Sequence, residues 1–72
     1  MFHIDVEYLE YKIKSAGTTK EAVAAECGIH RTTLWRNLRK NSISLSVVYA
    51  IIAFLHLSPD DIERTFFAVC DA

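Results

Sequence analysis

The chain has 72 residues, of which 51% are apolar and 24% charged, and its net charge is −1. A chain this short encloses one hydrophobic core, so we predict a single domain over residues 1–72. One proline and two glycines leave long uninterrupted stretches, which favours a helical domain over disorder. The longest apolar stretch, residues 43–57, contains two serines and is too short to cross a bilayer. Because no secretory signal is visible, we expect a cytoplasmic protein and no membrane partner.

The charges are distributed unevenly along the chain. Residues 12–40 contain seven lysines and arginines against two glutamates, a net charge of +5. Residues 1–11 and residues 41–72 each have a net charge of −3. A polyanion responds to the local field at a docking surface rather than to the total charge. The middle of the chain is therefore the candidate surface for nucleic acid, and a solvated helix face is the alternative explanation.

Helical periodicity and turn residues predict five short helices. The first helix ends at Gly17, because glycine suits the left-handed conformation that follows a helix. Thr18 or Thr19 caps the second helix, and Thr18 has the spacing to Glu21 of a capping box. We predict that the second helix ends at Gly28 after about two turns.

The remaining helices begin after recognisable capping residues. The third is predicted over residues 31–39, with His30 as its cap. The fourth follows Ser44 and reaches residue 56. The fifth follows Ser58 and reaches residue 67, and the proline and two aspartates after Ser58 suit a helix N-terminus. Helices joined by such short turns pack on their neighbours, so the predicted fold is an all-α, compact five-helix bundle.

Residues 19–38, TKEAVAAECGIHRTTLWRNL, resemble the helix-turn-helix of the lambda-repressor and Cro superfamily, the Xre-like regulators. The resemblance extends from Leu9 to about Phe67. It includes the segment LSPDD at residues 57–61, which is typical of small phage and prophage members.

The residues of this segment suit a helix-turn-helix on physical grounds. Ala24 is small enough for two helices to cross closely, and Gly28 relieves the steric strain of a tight turn. Ile29 and Leu34 anchor the second helix of the motif on the core, so its opposite face points outward. The residues expected on that outward face are Arg31, Thr32, Trp35 and Arg36.

The resemblance implies a sequence-specific transcriptional regulator whose recognition helix, about residues 31–39, enters the major groove of operator DNA. The expected base-reading residues are Arg31, Thr32, Trp35 and Arg36. The expected contacts to the DNA backbone are Lys20, Thr33, Arg39, Lys40, Asn41 and Ser42. Arg31 and Arg36 each have a guanidinium group that can fork onto a guanine. Trp35 could touch a thymine methyl group, obstruct the groove or pack against a partner protein.

The predicted fourth helix is apolar nearly all round, and such a helix is expected to be covered on all sides. A domain of this size has too few other helices to cover it. We therefore predict a homodimer or partner-protein interface that contains Val47, Ala50, Phe54, Phe66, Phe67 and Val69. A two-fold dimer would read a palindromic site. In the alternative interpretation, Phe66 closes the core and few apolar side chains are left over.

A second function follows from this apolar surface. A protein-interaction module with the same fold, such as an anti-repressor or an antitoxin, would bind another regulator through the fourth helix and the C-terminus. The low net charge favours this module, whereas the positive middle of the chain favours DNA.

No pattern in the sequence indicates catalysis, a cofactor or a small-molecule ligand. Cys27 and His30 have a Cys-x-x-His spacing without a second ligand pair, so we expect no metal site. Cys27 also occupies a core position of the motif. Two lone cysteines do not form a disulfide framework, and we expect both Cys27 and Cys70 to be reduced. We accordingly predict that the protein is not an enzyme.

Overall fold

The computed structural model describes residues 2–69, except for the side chains of Phe2 and Val69. Over these residues the fold is all-α, which confirms the predicted class. The elements in chain order are β1 (Phe2–His3), α1 (Val6–Ser15), α2 (Lys20–Cys27), α3 (Arg31–Arg39), α4 (Leu45–Leu55), α5 (Pro59–Phe66) and β2 (Ala68–Val69).

The ends of the first three helices follow local chemistry. Gly17 and Gly28 both have left-handed backbone angles, with φ of 72° and 73°. Thr19 caps α2, because its side-chain oxygen accepts the Ala22 N–H at 3.2 Å. The predicted capping box of Thr18 with Glu21 is therefore wrong, since Thr18 lies outside the helix end. His30 caps α3 as predicted, and its Nδ1 accepts the Thr32 N–H at 3.2 Å.

The last two helices also begin at the predicted residues. Ser44 accepts the Val47 N–H at 3.4 Å at the start of α4. Ser58 and Asp61 form a reciprocal capping box at the start of α5, with bonds of 3.1 and 3.2 Å. The fifth helix ends at Phe66 and Phe67 is its C-terminal cap, one residue short of the prediction.

All five helices contribute to one hydrophobic core. Helix α2 packs against both α3 and α4, and α1 packs against α5. Ala24, at 2% exposure, is small where α2 meets its neighbours. The buried apolar side chains are Leu9, Ile13, Val23, Ala24, Leu34, Trp35, Leu38, Ile51, Leu55, Leu57 and Phe66.

A short antiparallel strand pair joins the two ends of the described chain, which the sequence did not predict. Phe2 pairs with Val69 and His3 with Ala68. Next to this pair, the backbone N–H of Asp5 donates to the carbonyl of Thr65 at 2.8 Å. The helices are therefore held together at the ends of the fold by backbone hydrogen bonds as well as by the core. Within residues 2–69, no helix has the length and apolar character needed to cross a membrane.

Candidate functional site

Helices α2 and α3 are joined by a three-residue turn, Gly28 to His30. The N–H of Ile29 donates to the carbonyl of Ala24 at 3.2 Å, which closes the end of α2. Ile29 is half-buried against the core, and Leu34 in α3 is fully buried. The turn and these apolar contacts fix the side of α3 that faces inward and leave the other side to solvent.

The solvent side of α3 is strongly cationic. Among the residues predicted to contact DNA, Thr33 is half-buried, and Arg31, Thr32, Arg36, Arg39 and Lys40 are all exposed. Arg36, Arg39 and Lys40 form no ion pair with any residue in the described part of the chain. Positive charge that is not neutralised internally remains available to an anionic partner.

Trp35 does not lie on the outward face as predicted. Its side chain is only 4% exposed and belongs to the hydrophobic core. Its indole N–H is buried and has no hydrogen-bond partner among the described residues. Trp35 follows Leu34 by 100° around the helix, so it lies at the border of the inward face. A large aromatic ring at this border gains more from burial than from solvent, which explains the difference.

Lys20 is held in place by two neighbours. Its ammonium nitrogen lies 3.1 Å from Oε2 of Glu10 and 5.4 Å from the centre of the Trp35 ring. The second distance is within the range of a cation–π contact. Lys20 still exposes 37% of its side chain, so it can reach an anionic ligand without unfolding α2.

Arg31 is also paired inside the protein. Its Nη1 lies 2.9 Å from Oε1 of Glu21, which connects the start of α3 to the start of α2. The Arg31 side chain is 52% exposed and that of Glu21 is 64% exposed. An ion pair this open to water is weak and exchanges readily with another anion.

These cations meet at one cleft between α2 and α3. The cleft has a volume of about 200 Å³ and is lined by Lys20, Arg31, Thr32, Trp35 and Arg39. Three of the five lining residues are cationic, and the buried tryptophan supplies an apolar wall. We call this feature the α2–α3 cleft.

The loop after α3 contacts the N-terminal segment, which the sequence did not predict. Asn41 has a left-handed backbone with φ of 54°, and its Oδ1 accepts the Ile4 N–H at 2.8 Å. The N–H of Ser42 donates to the carbonyl of Asn37 at 2.8 Å. The side-chain Oδ1 of Asn41, a predicted contact to DNA phosphate, thus ties this loop to the residue that follows β1.

The residues predicted to form a protein interface do not form one exposed surface. Phe66 is buried in the core, as in the alternative interpretation, and Val47, Ala50 and Phe54 are half-buried. Phe67 is 51% exposed, and the Val69 side chain lies outside the described part of the structure.

The large apolar side chains that α4 exposes are different ones. Leu45 is 64% exposed and Tyr49 is 62% exposed. Leu45 and Phe67 both line an apolar groove of about 290 Å³ beside the strand pair. The sequence could not identify these positions, because a helix that is apolar all round gives no contrast between its faces.

A second polar cluster connects α1 to α5 away from the cationic face. The Tyr8 hydroxyl donates to Asp61 at 2.7 Å, and the Lys12 ammonium lies 3.1 Å from the same carboxylate. The bond from Tyr8, the backbone N–H of Ser58 and Lys12 hold the pKa of Asp61 well below its ordinary value. The same bond raises the pKa of Tyr8. All of these groups bond to one another, so the cluster is explained by helix packing.

Residues 2–69 contain no cluster of three or more His, Cys, Asp or Glu side chains that could hold a metal ion. Cys27 is a free thiol, half-buried at the edge of the core, and burial raises its pKa. A raised pKa keeps the thiol protonated and weakly reactive at neutral pH. The prediction for Cys70 lies outside the described residues.

The sequence matches no protein-family model, no curated protein and no solved structure.

Proposed function

We propose that this protein is a sequence-specific DNA-binding transcriptional regulator of the lambda-repressor and Cro type, of phage or prophage origin, acting in the cytoplasm. The observation that carries the proposal is the exposed cationic side of α3. It presents Arg36, Arg39 and Lys40 without an internal counter-ion in the described chain. Residues 31–40 contain four cations and no acidic residue, whereas the segments before and after them are net acidic. This distribution suits a polyanion better than it suits a solvated helix.

The dimensions of α3 suit the major groove, which is about 12 Å wide and admits one helix. Thr32 and Arg36 are four residues apart, so they lie on one face of α3. Arg36 is exposed and unpaired within residues 2–69, and its guanidinium can fork onto the two acceptors of a guanine. Arg31 can do the same once it leaves Glu21. We assign base reading to Arg31, Thr32 and Arg36, and we no longer assign it to Trp35.

We assign the contacts to the DNA backbone to residues at the edges of this face. Lys20 begins α2 and lines the α2–α3 cleft, whereas Arg39 and Lys40 end α3. Such contacts set the position of a protein on the duplex, and they make its affinity depend on salt. Thr33 is a half-buried polar residue of α3 and Ser42 an exposed one in the loop that follows, and we assign both to the same backbone contacts.

A selection from a random library of DNA duplexes tests sequence specificity. The expected result is a recurring sequence among the bound duplexes after several rounds. Recovery of an unchanged random pool, from a protein that does bind duplex DNA, would contradict sequence-specific recognition. An Arg36→Lys variant keeps the charge and removes the fork, so it should bind random DNA normally and lose the selected sequence.

The second candidate function is a protein-interaction module, and exposed apolar side chains on α4 favour it. Residues 45–55 include no charged side chain, yet Leu45 and Tyr49 are both more than half exposed. A homodimer formed through these residues is also compatible with DNA binding. The double variant Leu45→Gln/Tyr49→Gln removes the exposed apolar side chains of α4 and leaves the charge unchanged. It therefore separates association through α4 from DNA binding.

Sedimentation measures the interface directly. We expect the wild type to be a dimer at high micromolar concentration, and the double variant to be a monomer that still binds random DNA in a salt-dependent way. A wild-type monomer at that concentration would contradict the homodimer. A module that binds only another protein predicts no salt-dependent binding to DNA.

A further inference from the structure

The residues that line the α2–α3 cleft contain more positive charge than the cleft can offer to a ligand. Lys20, Arg31 and Arg39 line it, but two of these cations are already paired with carboxylates of the same chain. Glu10 reaches Lys20 from α1, and Glu21 reaches Arg31 from α2. Arg39 has no ion pair within residues 2–69. The three cations and two carboxylates leave a net charge of +1 around the cleft instead of +3.

We propose that the α2–α3 cleft binds one phosphate group, and that Glu10 and Glu21 compete with this phosphate for Lys20 and Arg31. The donors of the cleft fit a phosphate: one ammonium, two guanidinium groups and the hydroxyl of Thr32. The cleft volume of about 200 Å³ accommodates a group of that size. Binding exchanges one oxyanion for another, so the cations keep a partner in both states.

The two carboxylates can be displaced because their ion pairs are open to water. The Glu21 side chain is 64% exposed and that of Glu10 is 33% exposed. Ion pairs with this exposure contribute little to stability, so the fold does not depend on them. Their effect on a phosphate is larger, because each carboxylate both occupies a cation and repels the incoming charge.

The competition also applies to duplex DNA, and this step rests on the proposed function. Random DNA offers phosphate alone, and it has to displace Glu21 to use Arg31. A specific site also offers Arg31 a base edge, and this additional contact favours its release from Glu21. Glu21 therefore lowers the affinity for both kinds of DNA, and the base contact of a specific site offsets the energy of breaking the ion pair.

Four substitutions test the competition with matched controls. Glu21→Gln frees Arg31, and Glu26→Gln makes the same charge change on the same helix at an exposed residue without an ion pair in the described chain. Glu10→Gln frees Lys20, and Glu7→Gln is its control on α1 by the same criteria. Urea unfolding verifies that all four variants fold.

Two ligands are titrated into each variant: inorganic pyrophosphate and a random DNA duplex. Trp35 is the single tryptophan of the chain and it lines the cleft, so its fluorescence reports pyrophosphate at this site. We expect Glu21→Gln and Glu10→Gln to tighten both ligands about 3- to 10-fold at low salt, the size of one charge interaction at about 4 Å in water. The two controls should change either affinity clearly less, because neither Glu7 nor Glu26 pairs with a cation of the cleft.

The outcomes separate this inference from the proposed function. If the wild type binds random DNA in a salt-dependent way but Glu21→Gln matches Glu26→Gln, the competition is overturned and the DNA function stands. If Glu21→Gln tightens pyrophosphate while no variant binds the duplex, the cleft is supported and the DNA function is overturned. Weaker binding of both ligands by Glu21→Gln would show that this carboxylate positions Arg31 instead of competing for it.

Discussion

The ammonium nitrogen of Lys20 lies 5.4 Å from the centre of the Trp35 ring, and the ring itself is buried. This contact joins the start of α2, a proposed phosphate contact, to a side chain of the hydrophobic core. The position of the cation therefore depends on how well the ring is packed. Substitutions at Trp35 should act first on stability and only secondarily on binding.

Replacing Trp35 by alanine should destabilise the fold by about 3–5 kcal/mol, because it leaves a large cavity. Replacement by phenylalanine should have a much smaller effect, since the indole N–H has no hydrogen-bond partner to lose among the described residues. Urea unfolding followed by helical circular dichroism measures both. Equal losses for the two variants would contradict this expectation.

Thr65 is fully buried, and its hydroxyl has no partner among the described residues. Valine has nearly the same shape without the hydroxyl, so Thr65→Val should stabilise the fold by about 1 kcal/mol. Thr65→Ala is the control, because it also removes the hydroxyl but leaves a cavity and should destabilise. A Thr65→Val variant with a lower urea midpoint than the wild type would contradict the expectation.

Asp61 should make stability depend on pH in the acid range. Its folded pKa is held below the ordinary value of 3.8, first by the Tyr8 hydroxyl and then by Ser58 and Lys12. The folded state therefore favours the charged carboxylate. This contribution to stability is complete above the unfolded pKa and is lost as the pH falls toward the folded one.

The thermal midpoints of the wild type and Asp61→Asn, measured between about pH 2 and pH 7, isolate this group. The wild type should be the more stable protein at pH 7, and the difference should shrink progressively below about pH 4. Other carboxylates titrate in both proteins and cancel in the comparison. A difference that stays constant down to pH 2 would disagree with a lowered pKa.

Asn41 combines a left-handed backbone with a side-chain bond to the Ile4 N–H. The Asn41→Gly variant loses the side-chain bond, but glycine adopts the left-handed backbone angle freely. The Asn41→Ala variant loses the same bond, and alanine is also strained at this angle. The alanine variant should therefore be less stable than the glycine variant by about 1 kcal/mol. Both should bind random DNA equally well if Asn41 serves the loop. A loss of binding free energy larger than the loss of unfolding free energy would support the predicted contact of Asn41 to DNA phosphate.

Arg36 and Lys40 should differ in what they contribute to DNA binding. Arg36→Ala is expected to lose about 1–3 kcal/mol of affinity for a selected site and less for random DNA. Lys40→Ala should weaken binding to both DNAs similarly and lower the salt dependence. Competition titrations with the two duplexes measure the ratio of the affinity for the selected site to the affinity for random DNA. Equal losses on both DNAs for Arg36→Ala would remove it from base reading.

Much of this fold could be predicted because its signals are local. Caps, glycines and the Ser58-Pro59 pair act within one helical turn, and they fixed the helix ends to within about one residue. The strand pair was missed, since two-residue strands have no periodicity. The placement of Trp35 was wrong because a residue at the border of a helix face is decided by packing between helices.

The charges of the site were visible in the sequence, but their partners were not. Glu10 and Lys20 belong to different helices, as do Glu21 and Arg31, and only the packing of those helices brings each pair together. A count of lysines and arginines therefore overestimates the charge that α3 presents to a ligand. Only the three-dimensional structure distinguishes the cations that are paired with carboxylates of the described chain from those that are not.

Binding of the wild-type protein to a random duplex, followed by fluorescence anisotropy over a series of salt concentrations, tests DNA binding most directly. We predict micromolar affinity at low salt and a logarithmic slope of about −2.7 to −3.6, as expected for three or four neutralised phosphates. Absence of binding even at low salt would contradict a DNA-facing role for α3, and the exposed apolar residues of α4 would then be the surface to test against a protein partner.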